Sequence, residues 1–149
     1  MVISHLMNVR VASVRPDEAV QMAIARMLEE NVGAVAVCEG PRLVGIFTER
    51  DVLRLAGQGA DLRELKMDVV MTRRLVTAMP DDDVLAVAEL MRKHRIRHLP
   101  VLEGENLLGI VGIREILVAL VERLWSTPDE RVHETARELL AREPARSSH

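Results

Sequence analysis

Residues 45–51 read Gly45-Ile46-Phe47-Thr48-Glu49-Arg50-Asp51, an apolar run that ends with a hydroxyl and a carboxylate three positions apart. Residues 109–115 read Gly109-Ile110-Val111-Gly112-Ile113-Arg114-Glu115, with glycine, isoleucine and arginine at the matching positions. Continuing this alignment outward pairs residues 5–53 with residues 69–117 without a gap. Such an internal repeat indicates one structural unit that occurs twice in the chain.

Identical residues are spread over the whole repeat. They include Met7/Met71, Arg10/Arg74, Asp17/Asp81, Val20/Val84, Met27/Met91, Val37/Val101, Leu43/Leu107, Gly45/Gly109 and Arg50/Arg114. Most of the other pairs exchange one apolar residue for another, which preserves the pattern of buried positions.

The hydrophobic periodicity changes in the same order within both units. A short β-prone run comes first, at residues 11–14 and 75–78, and a helix follows because apolar residues recur at helical spacing from Val20 and Val84. Acids in the first turn of this helix would complement its dipole, and the residues expected there are Asp17, Glu18, Asp81, Asp82 and Asp83.

Two apolar strands and a second helix complete each unit. The strands are predicted at residues 34–38, 43–47, 99–102 and 107–111, and the second helices at residues 49–56 and 113–125. The unit is therefore β-α-β-β-α, and the fold class is α/β (α+β). Because a unit of about fifty residues buries little apolar surface by itself, we expect the two to pack together as one domain.

The predicted organisation has five parts. They are a first repeat at residues 5–56, a connector with a short helix at 57–68, a second repeat at 69–125, a C-terminal amphipathic helix at 127–143 and a flexible tail at 144–149. The C-terminal helix is predicted because Thr127-Pro128-Asp129-Glu130 has the form of a helix start and an apolar stripe follows it.

Composition and charge argue against nucleic-acid and membrane partners. The 149 residues include 20 basic and 23 acidic side chains, a net charge of −3, and 1% aromatic residues. The chain therefore lacks the positive field and the stacking side chains that nucleic-acid binding uses. Its apolar stretches are too short to span a bilayer, its single cysteine allows no internal disulfide, and its first residues do not resemble a signal peptide. We expect a cytoplasmic protein.

The spacing of reactive residues does not match a known catalytic or metal site. The five histidines are scattered, and neither a P-loop nor a nucleophile-elbow motif occurs. The acids at 81–83 are expected at a helix N-terminus rather than around a metal. We therefore expect no catalytic residue, no metal ligand and no required cofactor.

The second repeat contains the stretch His94-Arg95-Ile96-Arg97-His98-Leu99-Pro100-Val101. Together with residues 45–51 and the tandem unit, it resembles the cystathionine-β-synthase (CBS) domain pair, or Bateman module, over residues 5–122. The resemblance implies two repeats that pack through their sheets with pseudo-two-fold symmetry and leave two clefts. Members of this family bind adenine nucleotides or related adenosyl ligands in such clefts and often form dimers.

Thr48 and Asp51 match the family's ligand signature, in which a Ser or Thr and an Asp lie where the last strand meets the second helix. The resemblance implies that Asp51 binds the ribose hydroxyls, and a carboxylate is chemically suited to accept both hydrogen bonds. From the spacing alone, the same two residues form a capping box that stabilises the helix start. The two roles can coexist.

The second repeat departs from this signature. Gly112 has no hydroxyl, and Glu115 carries its carboxylate one methylene farther from the backbone. A ligand site there is expected to be weak, empty or altered in its ligand.

Arg97 and His98 are the predicted contacts for a ligand phosphate. The resemblance implies that they face the cleft whose ribose anchor lies in the other repeat, and guanidinium and phosphate groups are geometrically matched. Without the resemblance, basic residues after a helix are explained by solvation or by the helix dipole. The wall that holds the base is predicted to consist of Ile46, Val76, Thr77 and Ile96.

The leading prediction is a non-catalytic regulatory module. It would bind AMP, ADP, ATP, NAD or S-adenosylmethionine in one composite cleft, form a homodimer and act on an unidentified regulated protein. The alternative is a ligand-free module for homodimerisation or protein interaction. An enzyme acting on a nucleotide is a third possibility, which the absent catalytic groups disfavour.

Overall fold

The structure is a computed structural model that describes residues 1–126, 130 and 134. Apart from those last two residues, the predicted C-terminal helix at 127–143 and the tail at 144–149 lie outside the described residues.

The described residues form five strands and five α-helices after a short 3-10 turn at Ile3–His5. In chain order they are β1 (Ser13–Val14), α1 (Val20–Glu30), β2 (Ala34–Glu39), β3 (Arg42–Thr48), α2 (Glu49–Gly57), α3 (Met67–Val70), α4 (Val84–His94), β4 (His98–Glu103), β5 (Asn106–Gly112) and α5 (Ile113–Trp125).

The strands form one sheet in the order β1-β2-β3-β5-β4. Each repeat contributes an antiparallel hairpin, β2 with β3 and β4 with β5, and β1 runs parallel to β2. The two hairpins meet where Arg42 of β3 pairs with Asn106 of β5. The predicted α/β repeat architecture is confirmed, and the repeats lie side by side across this junction.

Helices α1 and α4 begin later than the acidic residues predicted for their first turns. Neither first turn contains an acid, and Asp83 is the N-cap of α4, where its side chain accepts a hydrogen bond from the Leu85 N–H at 3.0 Å. Contacts outside the helices explain the later starts. The Val20 N–H donates to the Leu65 carbonyl, and the Val84 N–H donates to the Met1 carbonyl. These distant carbonyls fix the residues where the helices start.

Three short elements also differ from the prediction. The β-prone run at residues 75–78 contains no strand, only a bridge between Ala78 and Val101. Strand β1 is limited to two residues, and the connector helix is the single turn α3. Periodicity alone does not reveal these ends, since each depends on a partner far away in the sequence.

Each repeat has its own apolar core, and each core is completed by a segment that crosses over. Ile3 is fully buried in the core around α4 and β4, whereas Met67 and Met71 are buried in the core around α1 and β2. We call residues 1–8 and 65–72 the crossing segments. Their hydrogen bonds match in position: the Ile3 N–H donates to the Asp82 carbonyl at 2.8 Å, and the Met67 N–H to the Glu18 carbonyl at 2.9 Å.

Candidate functional site

A cleft of about 620 Å³ lies between the two repeats. The first repeat supplies the end of β3 and the start of α2, and the second supplies the residues after α3 and those around the start of β4. Its lining consists of Ile46, Thr48, Glu49, Arg50, Asp51, Leu53, Thr72, Arg74, Leu75, Val76, Arg95, Ile96, Arg97, His98 and Pro100. This volume is in the range of about 300–1,000 Å³ that small-molecule sites occupy.

Seven of the eight predicted ligand residues line this cleft; they are Ile46, Thr48, Asp51, Val76, Ile96, Arg97 and His98. Thr77 does not line it. The chain leaves the cleft after Val76 and joins the edge of the sheet, where the Ala78 N–H donates to the Pro100 carbonyl at 3.0 Å. The sequence thus placed the wall one residue too far along the chain.

The second crossing segment and the residues directly after it bring to the cleft side chains that the sequence did not indicate. The Ile46 N–H donates to the Thr72 carbonyl at 3.1 Å, and the Thr72 N–H donates back to the Ile46 carbonyl at 2.9 Å. This bridge attaches the start of the second repeat to β3 and places Thr72, Arg74 and Leu75 on the cleft. The identity of Arg10 with Arg74 in the repeat was the available signal for Arg74.

The carboxylate of Asp51 folds back onto Thr48 at the start of α2. Asp51 Oδ2 accepts the Thr48 N–H at 2.9 Å and the Thr48 hydroxyl at 3.3 Å, so the predicted capping box is present. Asp51 Oδ1 lies 3.0 Å from Nη2 of Arg54. Asp51 is only 7% exposed, whereas the Arg54 side chain is 53% exposed. An ion pair with so exposed a partner is worth about 0–1 kcal/mol, so a ligand hydroxyl can replace it at little cost.

The ring of His98 lies against Gly33, the residue before β2. A Cβ at Gly33 would lie 3.0 Å from His98 Cε1 and 3.1 Å from Glu49 Oε1, so the missing side chain leaves room for both groups. Burial lowers the pKa of His98, while Glu49 and Glu115 act to raise it and Arg97 acts to lower it. His98 is therefore a neutral hydrogen-bonding group near pH 7.

The matching position of the second repeat has a different geometry. The Glu115 carboxylate lies against Gly112, where a Cβ would overlap it. The longer acid thus fills the space that the Thr48 side chain occupies in the first repeat. The side chains at the start of α5 do not cap that helix, unlike those at the start of α2.

Fold and cleft together define a tandem-repeat module with a composite pocket, to which the first repeat contributes Thr48, Arg50 and Asp51 and the second contributes Arg74, Arg95, Arg97 and His98. The sequence profile of the CBS domain family matches residues 3–57 and 65–122. The chain belongs to this family.

Relatives show the same pair both alone and inside larger proteins. The CBS domain-containing protein YhcV of Bacillus subtilis (strain 168) is 36% identical over 117 residues, which are 78% of this chain and 83% of YhcV. Arabinose 5-phosphate isomerase KdsD of Yersinia pestis is 31% identical over 120 residues, but the match covers only 37% of its length.

A solved structure links this fold to a ligand. The CBS domain protein PAE2072 from Pyrobaculum aerophilum, complexed with AMP, is 26% identical to this chain with a TM-score of 0.74. The match covers 82% of this chain and 99% of that protein. Separately, in residues 1–126, 130 and 134 no helix is long and apolar enough to cross a membrane.

Proposed function

We propose that this chain is a non-catalytic regulatory module that binds an adenine nucleotide or related adenosyl ligand between its two CBS repeats. The observation that carries the proposal is the meeting of the Thr48 and Asp51 pair with Arg97 and His98 in one cleft of ligand size. The AMP complex of the related protein supports the ligand class. We include in the proposal a homodimer, a cytoplasmic location and a regulated partner protein.

The anchoring step assigns the ribose to Asp51. Its Oδ2 stays on the Thr48 N–H, and its Oδ1 accepts a ribose hydroxyl in place of Arg54. A hydrogen bond to a buried carboxylate contributes about 1.5–3 kcal/mol. The helix cap holds the carboxylate in place before the ligand arrives, which reduces the entropic cost of binding.

The remaining lining suits the other parts of a nucleotide. Ile46, Val76 and Ile96 offer an apolar wall to the base, and Arg97 offers a guanidinium fork to a phosphate. His98 stands beside Arg97 and offers a neutral ring nitrogen.

Calorimetric titration with adenosine, AMP, ADP and ATP tests the proposal on the wild type and on Asp51→Asn. Asparagine can keep the helix cap through its carbonyl oxygen but provides no carboxylate for the ribose. We expect Asp51→Asn to weaken binding by about 2 kcal/mol, or about thirtyfold. Glu115→Gln, the equivalent change in the second repeat, is the matched control and should bind as the wild type does. Unchanged affinity in Asp51→Asn would remove Asp51 from the site.

A second candidate is a ligand-free interaction module. Two observations favour it: both Asp51 oxygens already have protein partners, and Leu53, Leu117 and Val118 are 75%, 54% and 53% exposed on α2 and α5. A dimer whose melting temperature does not rise with any adenosyl compound would support this candidate. A ligand that binds only the folded state must raise that temperature.

A further inference from the structure

Four arginines line the cleft, and they come from three separate parts of the chain. Arg50 lies on α2, Arg74 follows α3, and Arg95 and Arg97 lie between α4 and β4. All four side chains are exposed. The fold therefore brings guanidinium groups that are distant in sequence to one opening.

These four arginines have no carboxylate partner within residues 1–126, 130 and 134, and Arg50 donates only to the Arg95 carbonyl at 3.5 Å. Other arginines, outside the lining, do form salt bridges; examples are Arg15, Arg26, Arg42, Arg54 and Arg92. Guanidinium groups without a partner at a cleft are available to an anionic ligand.

The cleft is positive although the chain as a whole is negative. Four arginines and two carboxylates, Glu49 and Asp51, give the lining a net charge of +2, against −3 for the whole chain. The negative charge of Asp51 is further offset by Arg54, which lies outside the lining. The positive field is therefore local to the cleft, where it attracts an anion.

We infer that the ligand of this cleft carries a di- or triphosphate, and that Arg50, Arg74, Arg95 and Arg97 select it over AMP, adenosine and S-adenosylmethionine. The inference rests on the proposed function for the nucleoside part of the ligand. It adds that the phosphate chain, more than the nucleoside, sets the affinity.

The number of phosphate oxygens supports this selection. A guanidinium binds two phosphate oxygens at once, and a single terminal phosphate offers only three. A monophosphate therefore cannot give each of four arginines a separate pair of oxygens, whereas a diphosphate brings more oxygens and more negative charge. S-adenosylmethionine carries one carboxylate, but its sulfonium and ammonium groups give it a net positive charge, which the positive lining disfavours.

Calorimetric titration with adenosine, AMP, ADP and inorganic pyrophosphate tests the inference, with EDTA present so that no metal ion neutralises the phosphates. We expect ADP to bind at least about tenfold more tightly than AMP, and AMP more tightly than adenosine. The advantage of ADP should shrink between about 0.05 M and about 0.5 M salt, because exposed charges are screened.

The repeat supplies matched controls for the arginines. Arg74→Gln and Arg50→Gln remove a cleft charge, while Arg10→Gln and Arg114→Gln remove the equivalent charge from the other repeat, outside the lining. We expect each cleft variant to weaken ADP binding about fivefold or more and to leave adenosine binding unchanged. The controls should change neither affinity.

The outcomes separate this inference from the proposed function. Equal affinities for AMP and ADP, or equal losses in cleft and control variants, would overturn the inference and leave adenosyl binding intact. A different result would contradict the adenosyl ligand and support the role of the arginines. In that case pyrophosphate binds and Arg74→Gln weakens its binding, adenosine does not bind, and ADP binds no more tightly than pyrophosphate. Failure of all four compounds to bind would contradict both.

Discussion

Asp51 connects the start of a helix to the cleft through a single carboxylate. Its Oδ2 accepts the Thr48 N–H, while its Oδ1 lies beside the exposed Arg54. The cap and the ligand contact therefore use different oxygens, so the two roles that the sequence left open are compatible. Replacing Asp51 with alanine would remove both at once, which is why asparagine is the more informative substitution.

His98 should make the stability of the protein depend on pH. Its pKa in the folded state lies below the ordinary value of 6.5, because burial outweighs the attraction of Glu49 and Glu115 and Arg97 adds to the lowering. At pH values between 6.5 and the lower folded pKa, His98 is protonated in the unfolded chain but not in the folded chain. Stability is thus fully present above about pH 6.5 and declines as the pH falls through this window.

Urea unfolding at several pH values between about 7.5 and about 5 measures this effect. The stability of wild type relative to His98→Gln should fall as the pH is lowered. His94→Gln changes an exposed histidine at the end of α4 and serves as the control. Parallel pH curves for wild type and His98→Gln would contradict the assignment.

The resemblance to the CBS family accounts for the predicted site residues. Thr48 and Asp51 are close in sequence, and Arg97 and His98 are adjacent, so each pair could be matched to a short family motif. From spacing alone, the same residues are explained by a helix cap and by solvated bases. Thr72 and Arg74 were not predicted as site residues, because pairing with β3 brings them to the cleft and no local sequence pattern indicates that pairing. Thr77 was misplaced for the same reason, because the position of that segment depends on its partner strand.

At the scale of elements, the crossing segments explain why Met7/Met71 and Gly45/Gly109 are both identical pairs. A Cβ at Gly45 would lie 2.5 Å from Met71 Sδ, and a Cβ at Gly109 would lie 2.8 Å from the Asn8 carbonyl oxygen and 3.1 Å from Met7 Cγ. Each crossing segment therefore passes directly over a glycine of the neighbouring strand. Periodicity predicted the strands themselves but gave no sign of what crosses them.

Gly109→Ala should destabilise the protein more than Gly45→Ala. The methyl group at 109 meets backbone, which cannot move without breaking the hydrogen bonds between Asn8 and Ile110. The methyl group at 45 meets the side chain of Met71, which can change its conformation. We expect a loss of about 1–3 kcal/mol for Gly109→Ala and a smaller loss for Gly45→Ala, measured by chemical unfolding. Equal losses of stability in the two variants would show that the Asn8 backbone moves as readily as the Met71 side chain.

At the scale of the whole molecule, the duplicated scaffold carries unequal chemistry. The cap and anchor of α2 have no counterpart at α5, where the Glu115 carboxylate lies against Gly112. We therefore expect calorimetry with ADP to find one site per chain.

The double variant Gly112→Thr with Glu115→Asp should add a second, weaker site. It recreates the anchor, but Asn31 and Gly33 stand at the positions equivalent to Arg95 and Arg97. Gly112→Thr alone is the control, because the longer acid would still occupy the space for the new side chain. Two sites per chain in the wild type would show that Glu115 already serves as an anchor.

The exchange of segments between the two cores also bears on how such a chain can arise. In evolutionary terms, a single ancestral repeat would have left its own core open, because the residue that closes it, Ile3 or Met67, belongs in sequence to the neighbouring unit. Two copies that swapped their first segments would have had the arrangement that one chain now holds. Gene duplication would then have needed only to join two subunits that were already interlocked.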